Sequence, residues 1–237
     1  TETTVDGLLG VFFAFLLLGW LGGDGSPFEM VLLALTAFTL SLTKSSGIAF
    51  VLMAAAAAAI TALVRRRSPS LRGKKLACWL LLPLVSGVVA KQSWEFFLNC
   101  HDVPRRWHPS DLSLQSFMDL FHGKPQWRID TIEYFGWNIF KDHNYGSVIH
   151  MSYALLLALL MLTGLGLYLL LQKADRIRFA PALLGASICA VLYTVSTLFT
   201  YLFWFAQSEA VILASLSRYL NTCLTSILIV LAACMGP

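Results

Sequence analysis

Apolar residues run along this chain in long unbroken blocks. They show neither the every-second-residue alternation of a half-buried strand nor the narrow stripe of a soluble helix. Seven blocks approach the roughly 20 residues that a helix needs to cross a hydrocarbon core: 7–23, 28–43, 46–64, 76–98, 148–171, 180–205 and 211–235. The first two are short and meet at Gly22-Gly23-Asp24-Gly25-Ser26-Pro27, a turn by composition. Only Lys44-Ser45-Ser46-Gly47 separates the second block from the third, so these two form a hairpin with almost no loop. Alanines 54 to 59 give the third block a small-residue face suited to close helix approach.

One stretch differs in kind. Residues 99–147 carry four histidines (His101, His108, His122, His143), six acids, five basic residues and Trp107, Trp127 and Trp137. Ser110 or Asp111 is placed to cap a helix along which Leu114, Phe117, Met118 and Phe121 follow helical spacing, and Gly123 and Pro125 end it. A second amphipathic stretch sets Ile129, Ile132, Phe135 and Ile139 on one face. Neither is long or apolar enough to span, so both are expected to lie on the membrane surface or across the mouth of the bundle. The expected architecture is all-α: a polytopic bundle of about seven spans, with a four-span part over 1–98, an amphipathic segment over 99–147 and a three-span part over 148–237.

Composition strengthens this reading. Apolar residues make up 57% of the 237 positions and charged ones only 13%, about half the share of a soluble domain. That excludes a soluble enzyme, and disorder too, which needs low hydrophobicity and high charge. Five cysteines (Cys78, Cys100, Cys189, Cys223, Cys234) include no CxxC pair, which argues against a disulfide framework or a structural zinc. The histidine spacings of 7, 14 and 21 residues match no compact ligand motif. No cofactor is expected, with a divalent metal left open. The chain opens Thr-Glu-Thr-Thr and ends directly after an apolar run, which leads us to expect a piece of a larger polytopic protein.

Charge then sets orientation. The segment 65–75 holds six basic residues and no acid, and 173–178 holds three basic residues. Basic short loops stay in the cytoplasm, and an even number of spans separates these two, so both fall on one side. The opposite face receives Asp6, Lys44, the 99–147 segment and the 206–218 connection. The net charge of +4 is thereby explained by topology and says nothing of nucleic acid, which is not an expected partner. The expected location is an integral position in a bacterial inner or plasma membrane, with 99–147 extracytoplasmic.

Ionisable groups within spans are costly and mark function by default. Lys91 and Glu95, four residues apart, are able to pair with each other, and Lys44 to snorkel to the interface. Glu209 and Arg218 stand nine residues apart, on opposite sides of a continuous helix, with Tyr219 adjacent. Lys44, Lys91, Arg218 and Tyr219 form a candidate phosphate-binding set, because Arg offers a planar fork and Lys a point charge. Asp6, Glu95 and Glu209 are the candidate catalytic acids. An acid beside phosphate-binding cations is the equipment for moving a sugar off a lipid phosphate. A transporter or flippase of a lipid-linked substrate, or a non-catalytic membrane scaffold subunit, is the alternative. No internal repeat points to transport, and no filter signature to a channel.

The order of features resembles the GT-C superfamily of polytopic glycosyltransferases. The residues that carry the likeness are Leu42-Thr43-Lys44-Ser45-Ser46-Gly47 between two tight spans, and Glu209 with Ser217-Arg218-Tyr219-Leu220 entering a late span. Thr43-Lys44 is similar to the Thr-Lys that opens a span in mannosyl- and aminoarabinosyl-type members, where the lysine contacts lipid phosphate. The resemblance implies a polyprenyl-phosphate-sugar donor and a glycan or lipid acceptor outside the cytoplasm. One departure stands out: those enzymes carry an acidic pair in the first outer loop, and here only Asp6 occupies that level.

Overall fold

The computed structural model describes residues 2–23, 25–44, 46–65, 74–103, 113–145 and 149–234. Helices dominate them: α1 (Glu2–Gly22), α2 (Pro27–Thr43), α3 (Gly47–Arg65), α4 (Lys74–Cys100), α5 (Leu114–Phe121), α6 (Gln126–Phe140), α7 (Tyr153–Leu170), α8 (Lys173–Phe203), α9 (Gln207–Val211) and α10 (Leu216–Ala233). Five contain a stretch long and apolar enough to cross a membrane: Val5–Gly22, Lys75–Cys100, Tyr153–Leu170, Phe179–Phe203 and Leu216–Ala233. The chain is an integral membrane protein. Helix α2, at 17 residues, and the apolar stretch Gly47–Ala62 of α3 are shorter. At 1.5 Å per residue that is about 26 Å, a little under the hydrocarbon thickness.

Local chemistry fixes several ends. Pro27 opens α2, where its missing N–H costs nothing. Ser26 caps it by accepting from the Glu29 N–H, and the Glu29 carboxylate accepts from the Gly25 N–H at 2.8 Å. Ser113 caps α5 by accepting from the Ser116 N–H at 3.0 Å. This replaces the expected cap at Ser110 or Asp111, which lie outside the described residues. The α5 stop falls as expected, with Gly123 in the left-handed region at φ +72°.

Two elements depart from the sequence reading. The expected fifth span from 148 is preceded by a short antiparallel hairpin, β1 (Asp142–Tyr145) against β2 (Ile149–Ser152), and its helix starts only at Tyr153. The expected continuous span from 211 is broken. A turn fills 212–215 between α9 and α10, with Leu213 and Ser215 at φ +49° and +64°. Apolarity alone carries no record of such a break.

The chain divides into two compact units, one of residues 1–103, 160–192 and 222–237, the other of 104–159 and 193–221. In the first, Leu9, Phe13, Leu16, Leu17 and Trp20 of α1 are fully buried, and Phe13 meets Phe50 of α3 edge-on at 5.1 Å. The Trp20 indole N–H donates to the Trp79 carbonyl at 3.0 Å, tying the end of α1 to the start of α4. Ala54, Ala57 and Ala58 are buried, as the small-residue face of α3 requires. Ser86 donates to the Ala34 carbonyl at 2.7 Å where α4 crosses α2, and a Cβ on Gly87 would stand 3.0 Å from Ser41 Oγ. Small residues let these backbones approach in lipid, where no hydrophobic force draws helices together. Elsewhere apolar side chains face outward: the α7 span is only 11% buried, leaving its leucines to lipid.

The α2–α3 hairpin depends on Gly47, because a Cβ there would collide with the Leu40 carbonyl. Gly136 of α6 has open space around its Cβ position. Gly47→Ala is therefore expected to destabilise by about 2 kcal/mol, whereas Gly136→Ala stabilises by about 0.5–1 kcal/mol through helix propensity. Thermal unfolding in detergent checks the contrast, and equal shifts for the two variants would refute it.

Candidate functional site

Helix α1 starts and α2 ends at the same level, and the contact there is ionic. Lys44 Nζ donates to Asp6 Oδ1 at 2.8 Å, with the carboxylate side chain 6% exposed and the lysine 26%. Because Asp6 opens the α1 span and Lys44 follows α2, the pair shows α2 returning over the full length of α1. Four residues after Gly87, Lys91 lies on the same face of α4 and pairs with Glu95 at 2.8 Å. Both side chains are about a quarter exposed. Asp6, Lys44, Lys91 and Glu95 thus belong to the first unit, as two ion pairs.

The other named residues, Glu209, Arg218 and Tyr219, belong to the second unit. A straight helix would set Glu209 and Arg218 apart, but the turn at 212–215 redirects the chain. Tyr201 of α8 meets Tyr219 edge-on with ring centres 6.3 Å apart, and the Glu209 carbonyl accepts from the Ala214 N–H at 3.0 Å inside the turn. Glu209 precedes the break in α9 and Arg218 follows it in α10, which removes the continuous helix on which their expected opposition rests. The turn is held from α8: Tyr201 donates to the Ala214 carbonyl at 2.6 Å, and Tyr193 donates to the Tyr219 carbonyl at 2.7 Å. Tyr193, Thr197 and Tyr201 recur every fourth residue and are all buried, forming a polar stripe on an otherwise apolar helix. The Arg218 guanidinium lies 5.6 Å from the Tyr219 ring centre. Left-handed backbone at two non-glycine residues costs of order 1–2 kcal/mol each and tends to gather at functional sites.

The faces of α5 and α6 complete the second unit. All four apolar residues of the α5 stripe are exposed, Leu114 by 79%. In α6 the buried face is Arg128, Thr131, Phe135 and Asn138, while Ile129, Ile132 and Ile139 are half-buried. The Arg128 guanidinium sits 5.0 Å from the ring centres of both Trp127 and Phe203, which lets a buried cation turn inward. Trp137 and Phe140 face out, 71% and 72% exposed. The outward face of α6 thus mixes these aromatic rings with exposed Asp130 and Glu133. Between α6 and α9 runs an open groove of about 530 Å³, lined by Asp130, Glu133, Tyr134, Trp137, Val211 and Ile212.

Of the histidines, His143 Nε2 donates to the Asn138 carbonyl at 2.6 Å and His122 Nδ1 to the Met118 carbonyl at 2.9 Å, both closing helix ends. His101 packs its ring on Phe97, and His108 lies outside the described residues. Among the described residues no three His, Cys, Asp or Glu side chains gather as metal ligands. The residues that the sequence reading passed over are Tyr193, Tyr201, Arg128 and the groove pair Asp130 and Glu133. The four-residue recurrence of Tyr193, Thr197 and Tyr201 was the available signal. No family model matches the chain, and neither a curated protein nor a solved structure matches it.

The Asp6 side chain is nearly out of solvent at 6% exposed, so losing the Lys44 cation leaves a buried carboxylate without this ion pair. Asp6→Asn and Lys44→Met are each expected to cost about 2 kcal/mol, with the double variant costing less than either alone. Lys91→Met, at a more exposed pair, costs under about 1 kcal/mol. Unfolding of the single and double variants decides this, and strict additivity would contradict it.

Proposed function

We propose that this chain is a membrane glycosyltransferase-like protein, spanning a bacterial plasma membrane seven times, that moves a sugar from a polyprenyl-phosphate donor to an extracytoplasmic glycan or lipid acceptor. The observation that carries the reading is the strained turn at 212–215, which follows Glu209 and leads into Arg218 and Tyr219, with the Arg218 guanidinium 5.6 Å from the Tyr219 ring and that ring 6.3 Å from Tyr201. By the charge of the loops, that turn lies on the extracytoplasmic side. Arg218 supplies the fork that a lipid phosphate accepts, and Tyr219 a further donor.

In this reading the acceptor hydroxyl attacks the anomeric carbon. The bond from that carbon to the phosphate oxygen breaks, and its electron pair leaves with the phosphate. The hydroxyl proton passes to Glu209 as general base, and Arg218 stabilises the departing anion. Asp6, Lys44, Lys91 and Glu95 set the charge at the extracytoplasmic ends of α1, α2 and α4. Their closure into two ion pairs favours the competing reading, a non-catalytic membrane subunit.

Transfer from a radiolabelled polyprenyl-phosphate hexose or pentose in proteoliposomes separates the two. The account expects turnover in the native chain, a loss of about 100-fold or more in Arg218→Ala, and partial activity in Arg218→Lys. An Arg218→Ala variant that folds and turns over as the native chain does ends the proposal.

A further inference from the structure

The groove between α6 and α9 plays no part in the chemistry above, and its composition is one-sided. Asp130, Glu133, Tyr134 and Trp137 fall at helical spacing on the outward face of α6, and Val211, the last residue of α9, forms the opposite wall with Ile212 just after it. Among the described residues the lining holds two carboxylates, two aromatic rings and no cation. Arg128, the nearest basic residue along α6, is buried on the opposite face. The Asp130 carboxylate is steadied by the Gln126 amide at 2.9 Å. The groove is open along its length, and Trp137 and Ile212 are both more than two-thirds exposed.

Charge decides what fits. Two carboxylates one helical turn apart repel phosphate and free carboxylate. A neutral polyol merely exchanges water hydrogen bonds for equivalent ones. An organic ammonium gains on both counts, by Coulomb attraction to Asp130 and Glu133 and by contact with the faces of Tyr134 and Trp137. Position narrows the source. Exposed Trp137 and Phe140 are residues of the membrane–water interface, which is the depth of phospholipid headgroups. We propose that this groove holds the ammonium headgroup of a zwitterionic phospholipid, phosphatidylethanolamine or phosphatidylcholine. A bound lipid would moor α6 and α9 to the leaflet, independently of any sugar transfer.

Two measurements on the full chain test this. In maltoside micelles, added phosphatidylethanolamine or phosphatidylcholine is expected to raise the unfolding temperature by about 3 °C beyond the effect of phosphatidylglycerol, as about tenfold saturation of a site would. The paired substitution Asp130→Asn with Glu133→Gln, which keeps side-chain shape, removes that difference. In vesicles, bromine-labelled phosphatidylethanolamine quenches the emission that Trp137→Phe deletes at least twofold more than bromine-labelled phosphatidylglycerol does. Equal effects of the two headgroups overturn the proposal. So does an equal shift from tetramethylammonium without lipid, or protection by a soluble oligosaccharide that the double substitution abolishes. If the double variant fails to fold, the quenching contrast in the native chain decides alone.

Discussion

A charge inside hydrocarbon has no water to turn to, so every ionisable side chain in a spanning helix must meet a partner or reach the interface. In this protein that constraint shapes the ends of the helices. Asp6 and Lys44 close a pair that fixes the level at which α1 begins and α2 ends. Lys91 and Glu95 neutralise each other within one helix. Arg128 turns inward onto two aromatic rings instead of outward to lipid. Each of these cations thereby helps to hold the fold.

Much of the fold was legible because lipid demands a crude and long-range signal. Blocks of apolar residues with few charges gave the helices of the membrane part, and the glycine turn at 22–27 and the hairpin at Gly47 fell where composition set them. What escaped were features decided by single contacts. The β1–β2 hairpin comes before a helix whose apolarity masks where helix begins. The break at 212–215 rests on Tyr201 and Tyr193 reaching across from α8, and nothing within residues 207–220 announces it. The buried side of α6, Arg128, Thr131, Phe135 and Asn138, is not legible from apolar spacing, because hydrophobic-in, polar-out is a rule for water.

The same distinction separates the site residues. Lys91 and Glu95 were readable as a pair from spacing alone. The Asp6–Lys44 pair, 38 residues apart, was not, although both residues had been placed on one side by topology. For Glu209 and Arg218 the nine-residue spacing is uninformative, because a turn with two left-handed residues interrupts the helix it assumes. Tyr201, which holds that turn through the Ala214 carbonyl, looks from sequence like one more aromatic in an aromatic-rich span. Its neighbours Tyr193 and Thr197, at four-residue intervals, are what distinguish it.

On the proposed topology, set by loop charge, the ionisable groups of α1, α2, α4 and the α9–α10 turn face the extracytoplasmic side, and sidedness is the claim on which the proposed function rests. Cys100 closes α4 and is exposed, so it reports that side directly. In intact cells or right-side-out vesicles, a membrane-impermeant maleimide is predicted to label Cys100. Moving the thiol to the basic stretch (Cys100→Ser with Ser70→Cys) should make labelling depend on permeabilisation. The reverse pattern, with Cys100 reached only after the membrane is opened, would contradict the orientation and the extracytoplasmic chemistry built on it.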